Sequence, residues 1–289
     1  MRPPQQRYSQ GFTLIELSVV LVIIGLIVGG ILVGQDMISA AATRAQVSQI
    51  EKYNTAVNTF VTKFGYLPGD IPDPYASQFG FVARGLYEGE GDGNGILEGI
   101  WQNAASSSSG TYETGGETLV FWQDLSSINM IDGNISGIIS TNTYVYGNYV
   151  QSPCSCWYFP LAKIGRSSSV YTWSASGQNY FGLSSITAGN TGTQMVSNPT
   201  LPVQQAYNID KKIDDGQPTT GNVLAEYING VGPIVPAGTA SASVAVTGAA
   251  STCYDNGNST SKPINYSMEI SNGSNPNCAL SFKMQGAAR

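Results

Sequence analysis

From Leu17 to Gln35 no side chain is charged, a run of 19 residues that is apolar on every face. A helix of that length crosses a bilayer. The apolar positions continue past Asp36 as Val47, Ile50, Val57, Phe60, Val61 and Phe64, with Tyr53 between them. Steps of three, four and seven put these residues on one stripe of a helix. Gly65 and Pro68 follow, in the order that ends one. The pattern predicts a single helix from Phe12 to Phe64, roughly 80 Å long at about 1.5 Å per residue. Its first half needs lipid or other helices around it, and its second half needs a globular partner.

From Tyr66 onward the helical period fades. "YLPGDIPDP" reads as a rigid connection and "LYEGEGDGNGILEGIW" as a Gly-Asp loop. Residues 117–132 predict a short helix with Leu119, Trp122, Leu125 and Ile128 on one side. Short alternating or β-branched runs come next: "TYVYGNYV", "SVYTW", "QNYFGLSSI", "SASVAVTG", "INYSMEI" and "CALSFKM". The Gly, Asn and Ser turns between them predict an antiparallel sheet. No internal repeat and no long linker breaks the stretch.

Composition narrows the chemistry. Only 11% of residues are charged, against about 25% in an ordinary globular chain. Glycine, serine, threonine and asparagine are plentiful, which fits an exported, loop-rich β surface. The net charge of -6 and the lack of a basic cluster beyond the N-terminus give no indication of nucleic-acid binding. There is no histidine, so no Ser-His-Asp or Cys-His enzyme can be built from this chain. No Gly-x-x-x-x-Gly-Lys-Ser/Thr phosphate loop is present either. The sequence reads as a non-enzyme. "MRPPQQRYSQG" carries two arginines and no acid, which orients this end toward the cytoplasm.

The stretch "G-FTLIELSVVLVIIGLIVGGIL" closely resembles the processing site of type IV pilins and type II secretion pseudopilins: Gly, an aromatic residue, Thr-Leu-Ile-Glu-Leu, then an uninterrupted apolar run. The resemblance is tight over residues 11–34 and weaker in residues 91–99 and 206–223. It implies an α+β fold: a long N-terminal helix, membrane-embedded in its first half, packed on an enlarged antiparallel β-sheet head. It also implies a leader of residues 1–11, a helix over 12–65 with its transmembrane and assembly segment at 12–35, and an exported head over 66–289. In that family a prepilin peptidase cuts after the glycine and the new amino terminus is methylated. Here the cut falls between Gly11 and Phe12, and Glu16 takes the family's glutamate position. Leu14, Ile15 and Leu17 open the apolar assembly face.

Glu16 poses a physical question. A carboxylate near a bilayer centre costs about 2.5–3.5 kcal/mol on insertion scales. In an assembled filament the resemblance gives it a partner, the positive amino terminus of Phe12 on a neighbouring subunit. The alternative is a glutamate at the membrane interface, reaching toward water. Gly25, Gly29, Gly30 and Gly34 fit close helix approach, local melting on leaving the membrane, or ordinary membrane-helix glycine equally well.

Four cysteines lie in the second half, and an exported chain favours pairing them. Cys253 and Cys278 enclose 24 residues, and a bridge between them resembles the C-terminal disulfide-bounded loop of many pilins. Cys154 and Cys156 are expected to form a second, strained disulfide, with a redox or metal pair or free thiols as the alternatives. For a metal, Glu90, Asp92, Asn94, Gly95 and Ile96 follow the first seven positions of a calcium loop. Position 12 is Trp101, so the bidentate glutamate is missing and Glu98 is the substitute carboxylate. Asp210, Asp214 and Asp215 either complete that calcium site or form a second one. Plain turn formation accounts for both stretches equally.

These readings converge on a structural subunit of a bacterial type IV pilus-like filament, held in the inner membrane as a single-pass precursor and then assembled outside. Its partners are identical or related pilin subunits, the prepilin peptidase/methyltransferase and the inner-membrane assembly machinery. The alternatives are a pseudopilin in a periplasmic pseudopilus, or a filament-borne adhesin whose Tyr and Trp faces bind a ligand.

Overall fold

The computed structural model describes residues 13–84, 91–99, 116–135, 158–165, 167–189, 195–229, 233–234 and 238–286. Helix α1 spans Leu14–Phe64, with Glu16 in its first turn and Lys63 in its last, the charge order that complements the helix dipole. It ends as its sequence demands. Gly65 adopts φ +79°, and its N–H donates to the Val61 carbonyl at 2.8 Å.

The chain forms two compact units, Met1–Ala42 and Thr43–Arg289. In the first, the large apolar side chains of α1 from Leu14 to Ile38 are at least half exposed. Among the described residues α1 is the one helix long and apolar enough to cross a membrane. The second unit begins inside α1, so the latter half of that helix belongs to the head's core. Val47, Ile50, Tyr53, Ala56, Val57 and Phe60 are buried there, while Val61 and Phe64 are half-buried.

After α2 (Tyr75–Gln78) and α3 (Glu117–Ser127) comes the sheet: β1 (Ser169–Ala175), β2 (Gln178–Gly189), β3 (Met195–Asn198), β4 (Val223–Leu224) and β9 (Leu280–Lys283). Its order is β1-β2-β9-β4, with β3 also on β2, and every pairing is antiparallel. Helix α4 (Val203–Ile213) lies between β3 and β4 in the chain. Two small ribbons, β5–β6 (Tyr227–Ile228, Pro233–Ile234) and β7–β8 (Tyr254–Asp255, Asn265–Tyr266), complete the head. The architecture is α+β: a long N-terminal helix followed by an antiparallel sheet.

The expected short helix forms as α3, with Leu119, Trp122 and Leu125 buried as expected and Phe121 buried beside them. Ile128 instead lies at the C-cap, half-buried. "SVYTW" and "QNYFGLSSI" are the heart of β1 and β2, paired from Ser169↔Ser184 to Ala175↔Gln178. "SASVAVTG" is not a strand; it folds as a turn closed by an isolated bridge, Ser241↔Val244. Its alternation is present, but no neighbouring strand offers a ladder to pair with. "TYVYGNYV" lies outside the described residues.

The core is aromatic. Trp122 meets Tyr53 at 5.0 Å between ring centroids, Phe121 at 4.9 Å and Phe181 at 6.0 Å, all near the tilted or edge-on geometry that ring quadrupoles favour. At Gly182 a Cβ would lie 2.2 Å from the Tyr171 ring, so only glycine lets that ring cross β2.

Candidate functional site

The N-terminal site begins at a helix start. Gly11 and Phe12, the expected cleavage pair, lie outside the described residues. Thr13 sits just before α1. Its backbone N–H and its hydroxyl both donate to Glu16 Oε2, each at 2.8 Å, and the Glu16 N–H returns a bond to Thr13 Oγ1 at 3.3 Å. This reciprocal arrangement is a capping box. Leu14 is 89% exposed, and Ile15 and Leu17 are also open, so none of these three is buried by the described residues. A Cβ placed on Gly25, Gly29, Gly30 or Gly34 would meet nothing within 4 Å. Among the described residues no packing within one chain therefore demands glycine at those positions.

The Gly-Asp loop is built around two carboxylates that sequence spacing did not point to. Asp70 accepts from Gly93 N at 2.7 Å and from Gly95 N at 2.8 Å. Glu117, at the start of α3, accepts from Gly91 N (2.8 Å), Asp92 N (3.3 Å) and Glu98 N (2.9 Å). Asp92 Oδ1 in turn accepts from Asn94 N at 2.9 Å, and Asn94 Oδ1 from Ile96 N at 2.6 Å. Asn179 of β2 clamps the far side, accepting from Leu97 N and donating to the Gly95 carbonyl, both at 2.9 Å. One carboxylate oxygen from each of Asp70, Asp92 and Glu117 lies within 4.8 Å of the others. Hard carboxylate oxygens at that spacing fit a divalent cation such as calcium.

Of the residues expected to hold calcium, Asp92 belongs to the three-carboxylate group; the Asn94 side chain instead donates to Asp92 Oδ2 at 2.8 Å and accepts from Ile96 N, Glu90 lies outside the described residues, and Glu98 is buried but outside the group. Asp70 and Glu117 lie 22 and 25 positions from Asp92 (92 − 70 and 117 − 92), too far for a loop motif to reveal. The available signal was indirect: an acid beside Gly69 in a proline-rich turn, and an acid opening a predicted helix. Burial pushes the Asp70 carboxyl up to about 7, with the Gly95 and Gly93 N–H groups opposing and the Asp92 charge adding to the rise. Burial likewise holds Glu117 well above the usual carboxylate range, with the Asp70 charge contributing.

Beside this loop, Arg84 and Asp124 form a buried ion pair at 2.6 Å, 3% and 1% exposed. Asp124 also accepts from Gly69 N at 2.8 Å, and Arg84 donates to the carbonyls of Ile71 (3.3 Å) and Val82 (2.8 Å). The pair thus holds both sides of the turn that carries Asp70.

Asp210, Asp214 and Asp215 do not join the first cluster; they form a group of their own at the end of α4. Each carboxylate has backbone or hydroxyl donors. Asp210 accepts from Gly216 N (3.1 Å) and the buried Tyr266 hydroxyl (2.9 Å), and Asp215 from Gln217 N (2.8 Å) and Thr220 Oγ1 (2.7 Å). Asp214 accepts from the N–H groups of Asn222 and Val223. Gly216, at φ +75°, turns the chain just past the helix. Burial pushes Asp210 up to about 7, while the Thr220 hydroxyl holds Asp215 below the usual range.

Cys253 and Cys278 form a disulfide with Cα atoms 5.1 Å apart, and both are fully buried. Cys278 also bridges Leu201, tying the loop to the start of α4. Cys154 and Cys156 lie outside the described residues.

An apolar helix at the amino end of an α+β head fits membrane anchoring. Residues 6–32 match the family model of the prokaryotic N-terminal methylation motif, the signal of type IV pilins and pseudopilins. That motif supports a type IV pilin or pseudopilin-like precursor and implies processing by a prepilin peptidase. No curated protein and no solved structure gives a significant match.

Proposed function

We propose that this protein is a structural subunit of a type IV pilus-like filament, cut after Gly11 and polymerised through the first half of α1. The carrying observation is the prepilin-type motif joined to an apolar helical segment with no cover of its own. In the precursor, lipid covers Leu14, Ile15, Leu17 and the residues that follow. In the filament, copies of the same segment replace it. Moving between two apolar settings yields little net hydrophobic gain, so close packing and specific polar pairs must select the assembled state. The four contact-free glycines suit such packing, since they let helix backbones approach.

Glu16 supplies the selective pair. Cleavage creates a positive amine on Phe12, and a neighbour's Glu16 is the acid it meets. A buried ion pair offsets its desolvation only in good geometry, so this contact fixes register more than it adds affinity. Glu16→Ala should stop or severely reduce filament incorporation while cleavage continues, as read by immunoblotting sheared fibres and cell extracts. Ordinary fibres from that variant contradict the pairing. Between pilus and periplasmic pseudopilus, the large head favours the surface filament. The adhesin reading has less support, because Tyr53, Tyr171, Tyr254, Trp122 and Trp173 are core residues.

Calcium is the cation proposed for the Asp70–Asp92–Glu117 cluster. Two buried acids whose charges oppose each other there would be relieved by a bound divalent ion.

A further inference from the structure

We infer that the head carries a docking groove for an extended peptide chain, whose main chain is read by Gln46 and Gln49 of α1. The inference is independent of the filament reading. A groove of about 930 Å³ runs between α1 residues 45–59 and residues 130–135 and 160–163, within the size range of cavities that hold ligands. Gln49 and Tyr53 lie along it. Gln46 shares a helix face with Gln49, since residues three apart stand one above the other.

The two amides already hold one stretch of backbone. Lys163 N donates to Gln46 Oε1 at 2.8 Å, and Gln49 Nε2 donates to the Leu161 carbonyl at 2.9 Å. Gln49 Nε2 gives its other proton to the Tyr53 hydroxyl at 2.8 Å. These bonds fix both amide orientations: turned over, each would set donor against donor or acceptor against acceptor. The other half of each amide is unspent. Among the described residues Gln46 Nε2 has no acceptor and Gln49 Oε1 has no donor, although the two side chains are 0% and 8% exposed. Buried polar atoms without partners are rare and costly.

The unspent atoms are a donor and an acceptor on residues about 4.5 Å apart along the helix axis, at about 1.5 Å per residue. A main-chain carbonyl and N–H match such a pair, just as residues 161–163 match the spent halves. A second chain laid along the groove side of α1 therefore completes a ladder of which one rail is already filled. Recognition of this kind takes affinity from the main chain and specificity from side chains. The rim supplies the specificity. Glu51 and Lys52 of α1 line the groove together with Asp132 and Lys163, and among the described residues none of the four is in an ion pair. Two charges of each sign suit a peptide with both a basic and an acidic side chain, rather than a neutral glycan or an anionic lipid.

The test uses the full chain in detergent. The probe is a set of capped octapeptides of random sequence, each with one lysine and one glutamate. Binding is read by equilibrium dialysis and mass spectrometry, and its place by hydrogen exchange. Peptides should be retained and should slow exchange at α1 residues 46–53 and at 161–163. The same peptides N-methylated along the backbone should not bind, because they have lost the N–H that Gln49 Oε1 accepts. Gln46→Glu keeps the acceptor that Lys163 uses and replaces the unspent donor. It should weaken binding about tenfold, the order for unmaking a buried hydrogen bond. Lys52→Gln with Asp132→Asn changes exposed side chains only. That variant should erase the preference for charged over uncharged peptides, worth about threefold. No retained peptide, equal binding after N-methylation, protection of other segments, or unchanged affinity in a folded Gln46→Glu would each overturn the inference. Should Gln46→Glu fail to fold, an unchanged preference in the exposed double variant overturns it. Self-association that protects the same segments without peptide would assign the groove to a second copy and overturn the peptide reading.

Discussion

At the residue scale, the head depends on a few buried charges with fixed partners. Arg84 and Asp124 show this most plainly. Burial pushes the Asp124 carboxyl up while the Arg84 guanidinium pulls it back, so the acid is tolerable only beside its cation. Among the described residues, Arg84→Leu leaves Asp124 buried against the Gly69 N–H alone. It should destabilise the head by about 3–5 kcal/mol, the usual cost of stranding one member of a buried pair. Denaturant unfolding of the purified protein measures this, and unchanged stability would show that the pair is dispensable. The acids of the Gly-Asp loop, Asp70 and Glu117, are shifted in the same direction. Asp70 has its folded pKa raised to about 7, from an ordinary value near 3.8. The folded state then holds a proton that the unfolded chain has released between those limits, so stability should fall as pH rises from 4 to 7. Asp210 acts in the same direction. In chelator the melting temperature should therefore be lower at pH 8 than at pH 5. Calcium should raise it at pH 8, because a cation favours the ionised carboxylates. A melt indifferent to calcium at pH 8 counts against a cation site.

At the element scale, the legible parts were those with strong local periodicity. Helix α1 could be read across its whole length because two patterns, all-round apolar and then a single stripe, run without a break into Gly65. β1 and β2 were legible because aromatic and β-branched residues cluster in each and a turn at 176–177 joins them directly. Short ribbons were not. β7 and β8 are two residues each, and they exist because the Cys253–Cys278 bridge and the Tyr266–Asp210 bond hold their loop. "SASVAVTG" has the same local signal as a strand and lacks the neighbour that would make it one. The carboxylates of the Gly-Asp loop were half legible: Asp92 and Asn94 lie in the motif, whereas Asp70 and Glu117 arrive through tertiary contacts that no spacing rule encodes. The disulfide makes the dependence testable. Cys253→Ser with Cys278→Ser should cost about 2–5 kcal/mol, with the loop from 253 to 278 opening first. Hydrogen exchange should show early loss of protection at Ser267 N and Cys278 N, which now bond Cys253 O and Leu201 O. Uniform loss across the whole head would contradict a locally held loop.

At the scale of the whole molecule, each compact unit has its own physical logic. Thr43–Arg289 buries an aromatic core and holds Asp70, Glu117 and Asp214 on backbone donors. Met1–Ala42 carries the methylation motif, and the large apolar side chains of α1 from Leu14 to Ile38 are at least half exposed. That asymmetry is what a subunit requires if it must exchange lipid for copies of itself. The most direct measurement is the mass of the N-terminal peptide from sheared extracellular fibres of the native host. The account predicts a peptide that begins at Phe12, carries one methyl group on its amine and is recovered from the fibres. A chain that retains residues 1–11 and stays wholly in the membrane fraction would contradict it.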